Sequence, residues 1–97
     1  MYEIEHIWPQ DTSMLQLTEE EQKQHEEYVN KLGNLTLAAK GWNKSMGNKP
    51  FDIKREKYKN SLFRVQKELA HYNMWGKKQI EKREMDIIKF ALKRWEN

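Results

Sequence analysis

The run Tyr2-Glu3-Ile4-Glu5-His6-Ile7-Trp8-Pro9-Gln10 decides how the rest of the chain is read. Tyr2-Glu3-Ile4 alternates as a short strand does. Pro9 stops it, because proline lacks a donor for a ladder and restricts the residue before it. A carboxylate and an imidazole, Glu5 and His6, therefore stand side by side where a strand gives way to a turn. Neighbours along a strand point to opposite faces, so the two could address a metal and a water molecule from different sides if the strand bends there. Neutral imidazole suits a general base. A surface or capping pair is the competing reading of the same two residues.

Working outward, Thr18 with Glu21 three residues later forms a capping box, and the glutamates behind it favour a helix N-terminus. The spacing predicts a helix over residues 18–32, with Gly33 as its left-handed stop. Asn34 to Leu37 reads as a second strand, and Trp42 to Met46 as a brief helix closed by Gly47. Asparagine inside such elements asks for a partner, because its amide competes for backbone hydrogen bonds. Asn43 offers a neutral hard oxygen, which with one carboxylate would hold Mg²⁺ or a similar cation. Helix capping by Asn43, and a helix-stop role for Asn34 beside Gly33, remain alternatives on spacing alone.

After Pro50, Phe51, Tyr58, Leu62, Val65 and Leu69 recur at near-helical spacing, as one helix broken or two in series near Asn60-Ser61. After Gly76, Ile80, Ile87, Ile88, Ala91, Leu92 and Trp95 form an apolar stripe that predicts a packing helix. Trp75 and Trp95 are expected in the core. His25 and His71, without companion ligands, are expected at the surface, and Arg83 among acids reads as structural. The whole is expected to be one α+β, mostly helical domain over residues 1–97. Its site lies within 1–49, interrupted by the helical insert 18–32, and residues 50–97 form supporting helices.

Ninety-seven residues, 37% hydrophobic and 34% charged, leave room for one modest core and exclude a multi-domain enzyme. Without cysteine there is no disulfide framework, no cysteine-held zinc and no thiol catalysis. No apolar run approaches a membrane span and no signal pattern opens the chain, so no membrane role and a cytoplasmic home are expected. Through Thr36, eight acids face two lysines, a formal −6; beyond it, sixteen Lys and Arg face seven acids, a formal +9. That asymmetry favours a polyanionic partner, nucleic acid being the commonest, although basic helices also occur for solvation alone.

Glu5-His6-Ile7-x-Pro9-Gln10, Leu32-Gly33-Asn34-Leu35-Thr36-Leu37 and Asn43 resemble the HNH nucleases, the His-Me finger or ββα-metal class; the first run is also similar to the HNH domain of the RNA-guided CRISPR effector nuclease. With Gly47-Asn48, Phe51-x-x-Lys54, Tyr58-x-x-Ser61, Ile80-x-x-Arg83 and Trp95 added, the pattern looks like the C-terminal nuclease domain of GmrSD-type, modification-dependent restriction enzymes. The resemblance implies a ββα-metal core and a metal-dependent endonuclease that hydrolyses DNA in restriction or anti-phage defence. It makes His6 the general base, Glu5 and Asn43 the ligands of one divalent ion (Mg²⁺, with Mn²⁺ or Ni²⁺ as alternatives), and Asn34 the residue that fixes the histidine-bearing loop. It further implies an N-terminal, nucleotide-using regulatory domain or partner protein, of which this would be the C-terminal companion.

Lys44, Lys49, Lys54 and Arg55 are expected to form a basic rim on DNA, with Lys54 the leading candidate for substrate contact. Glu5 stands where many HNH members carry Asp. The long acidic stretch from Asp11 to Leu32 is expected to face away from a phosphate backbone. The rival readings are a basic module that binds nucleic acid without turnover and a structural domain that positions a separate catalytic partner.

Overall fold

The computed structural model describes residues 1–95. The supporting segment expected to run to residue 97 is therefore described to Trp95. Strand β1 (Tyr2–His6) pairs antiparallel with β2 (Leu35–Ala39), from Tyr2 opposite Ala39 to His6 opposite Leu35. The first strand is thus two residues longer than its alternation indicated, and His6 is its last residue. Polarity across this sheet is inverted: Ile4 and Leu37, directly opposed, share the exposed face, while Glu5 and Thr36 share the buried one. A buried carboxylate requires partners, and the helices that follow supply them.

Helix α1 (Glu19–Tyr28) starts at the expected capping box, with the Thr18 hydroxyl accepting from the Glu21 amide and the Glu21 carboxylate accepting from the Thr18 amide. It stops at Tyr28, four residues before the expected end. The Val29 carbonyl is taken by the Asn34 side chain, and Lys31 is extended. A single 3₁₀ turn over Leu32–Asn34 then leads into β2. Gly33 belongs to that turn and is not left-handed; Gly41 (φ 93°) is the glycine with positive φ, at the N-cap of α2 (Trp42–Met46). Gly33 is required for a different reason. A Cβ there would collide with the Ile80 carbonyl oxygen, so its absence lets the last helix lie directly on the turn.

Helix α3 (Phe51–Lys59) and α4 (Arg64–Leu69) are the two helices in series, and α5 (Lys77–Trp95) is the last. The core gathers Ile7, Trp8, Tyr28, Phe51, Tyr58, Leu69, Trp75 and Ile80. Two of these, Ile7 and Trp8, directly follow His6, so the exit of β1 is held by the centre of the molecule. Helix α5 departs from expectation. Ile80 is buried, Ile87 is half-buried, and Ile88, Leu92 and Trp95 are exposed, Trp95 at 86%. A helix of this length reaches about 28 Å at 1.5 Å per residue. Its early turns meet the 3₁₀ turn and α1, while its later turns run past the core. Trp75 is buried as expected and Trp95 is not. No helix among the described residues is long and apolar enough to cross a membrane.

Candidate active site

His6 ends β1, half-buried, and its ring lines a cleft of about 430 Å³ together with Ile4, Gln10, Asp11, Asn43, Lys44, Gly47 and Asn48. The opposite wall is α2. Asn43, in its first turn, ties that helix to β1: its backbone N–H donates to Glu3 Oε1 (3.1 Å) and its side-chain Nδ2 donates to the Ile4 carbonyl (3.0 Å). The Asn43 Oδ1 has no hydrogen-bond partner among the described residues. Gly47 closes α2 by donating to the Asn43 carbonyl, and a Cβ at Gly47 would press on that same oxygen. A strand end carrying an imidazole thus faces a helix start carrying an amide and, at Lys44, an exposed ammonium.

Asn34 is fully buried and every polar atom of its side chain is used. Its Oδ1 accepts from the Trp8 amide (2.7 Å) and from Trp75 Nε1 (2.9 Å), and its Nδ2 donates to the carbonyls of Trp8 (2.9 Å) and Val29 (2.8 Å). The Ile7 amide donates to the Asn34 carbonyl, extending the ladder beyond His6. One side chain therefore fixes the loop after the histidine, the end of α1 and the core tryptophan. Pro9 is held from α1: the buried His25 ring donates from Nε2 to the Pro9 carbonyl (2.7 Å) and lies edge-on to Trp8. The expectation of a surface His25 is corrected. His25, Tyr28 and Val29 share the one face of the glutamate-rich helix that packs inward.

Glu5 and Lys54 depart furthest from their expected places. Lys54, expected on DNA, is completely buried, and its Nζ lies 2.8 Å from Glu5 Oε1 while donating to the carbonyls of His6 (2.7 Å) and Ile7 (3.3 Å). Glu5 Oε2 accepts from the Tyr58 hydroxyl (2.7 Å). Burial pulls the Lys54 pKa down from its ordinary value, and the Glu5 charge opposes that fall. Burial, and then the adjacent Glu5 carboxylate, push the Tyr58 hydroxyl far above the usual tyrosine range. Three side chains from β1 and α3 form a closed buried cluster under the histidine. The Arg55 guanidinium, also expected on DNA, is half-buried and donates to the Ala70 carbonyl (2.8 Å), joining α3 to the end of α4. Arg83 is structural, its Nη1 donating to the carbonyls of Gly33 (3.0 Å) and Leu35 (2.7 Å).

The expected pair of metal ligands is not brought together: Asn43 lines the cleft, and Glu5 does not. With one oxygen against an ammonium and the other accepting from a phenol, Glu5 does not fit a ligand role in this arrangement. Among the described residues no group of three or more His, Cys, Asp or Glu is placed to hold a metal ion. The cleft-lining residues whose side chains carry oxygen donors are Asp11, a carboxylate, and the amides Asn43, Asn48 and Gln10. Asp11 is held ionised below the usual carboxylate range, chiefly because it accepts from the Ser13 backbone N–H (2.9 Å). The acidic insert was expected to point away from the cleft, and Asp11 corrects that expectation. The α1 glutamates do stay off the cleft lining.

Two polar residues at the site escaped the sequence reading. Asp11 sits just past the Pro9-Gln10 turn, where adjacency to the motif was its only signal. Asn30 brings Oδ1 to 3.1 Å from His6 Nε2 across 24 residues, a closure that no local pattern announces.

No curated protein and no solved structure gives a match to the chain. The family model of the GmrSD restriction endonucleases, C-terminal domain, matches residues 1–90, which is all of the chain up to Phe90 in α5. By that match the chain belongs to the C-terminal domain family of the GmrSD restriction endonucleases.

Proposed function

We propose that this domain is an HNH-type endonuclease that hydrolyses phosphodiester bonds of DNA, with His6 as general base in the β1–α2 cleft. The observation that carries the reading is that His6, on a strand end clamped by Lys54, and Asn43, in the first turn of α2, line one open cleft. In this reading the neutral imidazole of His6 takes a proton from water as the water oxygen attacks phosphorus. The bond from phosphorus to the 3′ oxygen breaks, leaving a 5′-phosphate, and the departing oxygen takes a proton from solvent to give a 3′-hydroxyl. Exposed Lys44 at the cleft and half-buried Lys49 beyond it pair with backbone phosphates and carry no sequence information.

A divalent cation, Mg²⁺ in the first instance, belongs to this proposal. Asp11 and the Asn43 and Asn48 amides suit it better than Glu5, since one carboxylate with neutral oxygens is a donor set that a hard cation accepts when water and phosphate complete its shell. When bound, such an ion supplies Lewis-acid neutralisation of phosphate charge. A role in restriction or defence, and an N-terminal nucleotide-using companion, form part of the same reading.

Incubating supercoiled plasmid with the protein and Mg²⁺, Mn²⁺ or Ni²⁺ tests it. Relaxed or linear product that forms with a divalent ion and stops on chelation supports hydrolysis. Salt-sensitive binding without any product would transfer the domain to a non-catalytic binding role, the reading favoured by the closed Glu5–Lys54 pair.

A further inference from the structure

We infer that Asn30 is the positioning residue for His6: its side-chain carbonyl holds the imidazole through Nε2 and leaves Nδ1 as the nitrogen that accepts a proton. The inference rests on the hydrolytic role proposed for His6.

A base on a strand end needs two things fixed, its backbone and its ring. The backbone is settled by the Lys54 ammonium on the carbonyls of His6 and Ile7. Among the described residues the ring makes one hydrogen bond, from Nε2 to Asn30 Oδ1, at 3.1 Å. A neutral imidazole carries one N–H, and which nitrogen holds it is set by the partner of the other. An amide carbonyl at Nε2 requires the proton there, so Nδ1 keeps its lone pair.

The approach of Asn30 is built into the fold. It lies one residue after Val29, whose carbonyl accepts from Asn34 Nδ2, and that same Asn34 side chain bonds both the N–H and the carbonyl of Trp8, two residues after His6. The buried amide of Asn34 thus sets the distance between the two segments that carry the pair. Lys31 donates to the Tyr28 carbonyl and Asn34 to that of Lys31, closing a tight turn from which the Asn30 side chain reaches the ring. This also gives the long insert a purpose beyond spacing, since it returns to the histidine at its far end. Asn30 itself is exposed and outside the core, so replacing it leaves the packing alone.

The test is the tautomer of His6, read from long-range ¹H–¹⁵N spectra of the neutral ring in metal-free protein and assigned through His6→Gln. The expected result is a single form protonated at Nε2. Asn30→Leu should turn it into exchanging tautomers with an unchanged thermal midpoint, and Asn30→Asp, which keeps an acceptor oxygen, should restore it. In plasmid nicking, Asn30→Leu should lower kcat by about 10–100-fold with KM unaltered, the usual cost of removing the partner that orients a functional histidine. A wild-type ring protonated at Nδ1, or an Asn30→Leu spectrum identical to wild type, would overturn the inference. Because the spectrum requires no turnover, a protein that cuts nothing would refute the hydrolytic reading, while the Asn30–His6 pairing would still be judged on its tautomer.

Discussion

Replacing Lys54 by methionine separates a buried clamp from a DNA-contacting lysine. The side chain is wholly buried and its ammonium meets three oxygens: Glu5 Oε1 at 2.8 Å, the His6 carbonyl at 2.7 Å and the Ile7 carbonyl at 3.3 Å. Methionine fills similar volume and removes all three. Glu5 is left as a buried carboxylate with the Tyr58 hydroxyl as its remaining hydrogen-bond donor. Removing one member of a buried ion pair costs about 3–5 kcal/mol. Each orphaned carbonyl adds about 1 kcal/mol, less than additively. A loss of about 4–6 kcal/mol follows, which is a large part of the roughly 5–15 kcal/mol available to a domain of this size. Urea unfolding followed by tryptophan fluorescence measures it. Glu5→Gln introduced into the same protein should return about 2–3 kcal/mol, because the uncompensated charge is gone while the tyrosine keeps an acceptor. A Lys54→Met protein within about 0.5 kcal/mol of wild type, with a weaker salt dependence of DNA binding, would refute the reasoning and return Lys54 to the surface.

Tyr58 should govern stability in alkali. Its folded pKa is raised, so its contribution is fully present below the unfolded value of 10.0 and is lost as pH rises through and beyond it, whereas the depressed Lys54 acts with the opposite sign. Urea midpoints between pH 9 and 11 should therefore fall more steeply in wild type than in Tyr58→Phe, and parallel curves would contradict this. Asp11→Asn should weaken Mn²⁺ binding, measured by calorimetry, about tenfold or more with little change in thermal midpoint, whereas Glu5→Gln should lower the midpoint and spare the metal affinity; the reverse pattern would restore Glu5 as the ligand. Trp95→Ala should leave stability within about 0.5 kcal/mol, since that ring is exposed. Gly33→Ala should cost about 1–3 kcal/mol or more through its collision with the Ile80 carbonyl, seen as a lowered urea midpoint.

The elements whose signals are local were readable from the chain. The Thr18–Glu21 capping box starts α1 where it was read, and the Trp42–Met46 helix has the expected bounds. What escaped was set from a distance. Asn34 ends α1 by taking the Val29 carbonyl, and spacing within the helix gives no sign of that bond. The stripe on α5 is amphipathic as a pattern, but a pattern cannot tell whether a partner surface extends far enough to cover it, and here the core ends after the early turns.

Lys54 was misplaced by residue type. Lysines belong to the surface so regularly that residue type outweighs its position on the Phe51, Lys54, Tyr58 face, at i, i+3 and i+7, although that spacing puts it inside. The counterpart sign was Glu5, a carboxylate in a strand whose neighbour Ile7 is a core residue, which demands a buried cation. Of the residues that line the cleft, His6 was expected from its place beside Glu5 at the strand exit, and Asn43 from its spacing and residue type. Asn30 and His25 owe their roles to chain closure over 24 and 16 residues, which only the folded structure supplies.

The central claim, that His6 acts on a water molecule in this cleft, is tested most directly by comparing wild type with His6→Ala on supercoiled plasmid in Mg²⁺ and in Mn²⁺, with thermal unfolding recorded on the same samples. The account predicts that nicking is lost, by at least about 100-fold, while the unfolding midpoint stays within a few degrees, because Lys54 grips the His6 backbone carbonyl rather than its ring. Cleavage that persists at the wild-type rate in a folded His6→Ala protein would contradict it.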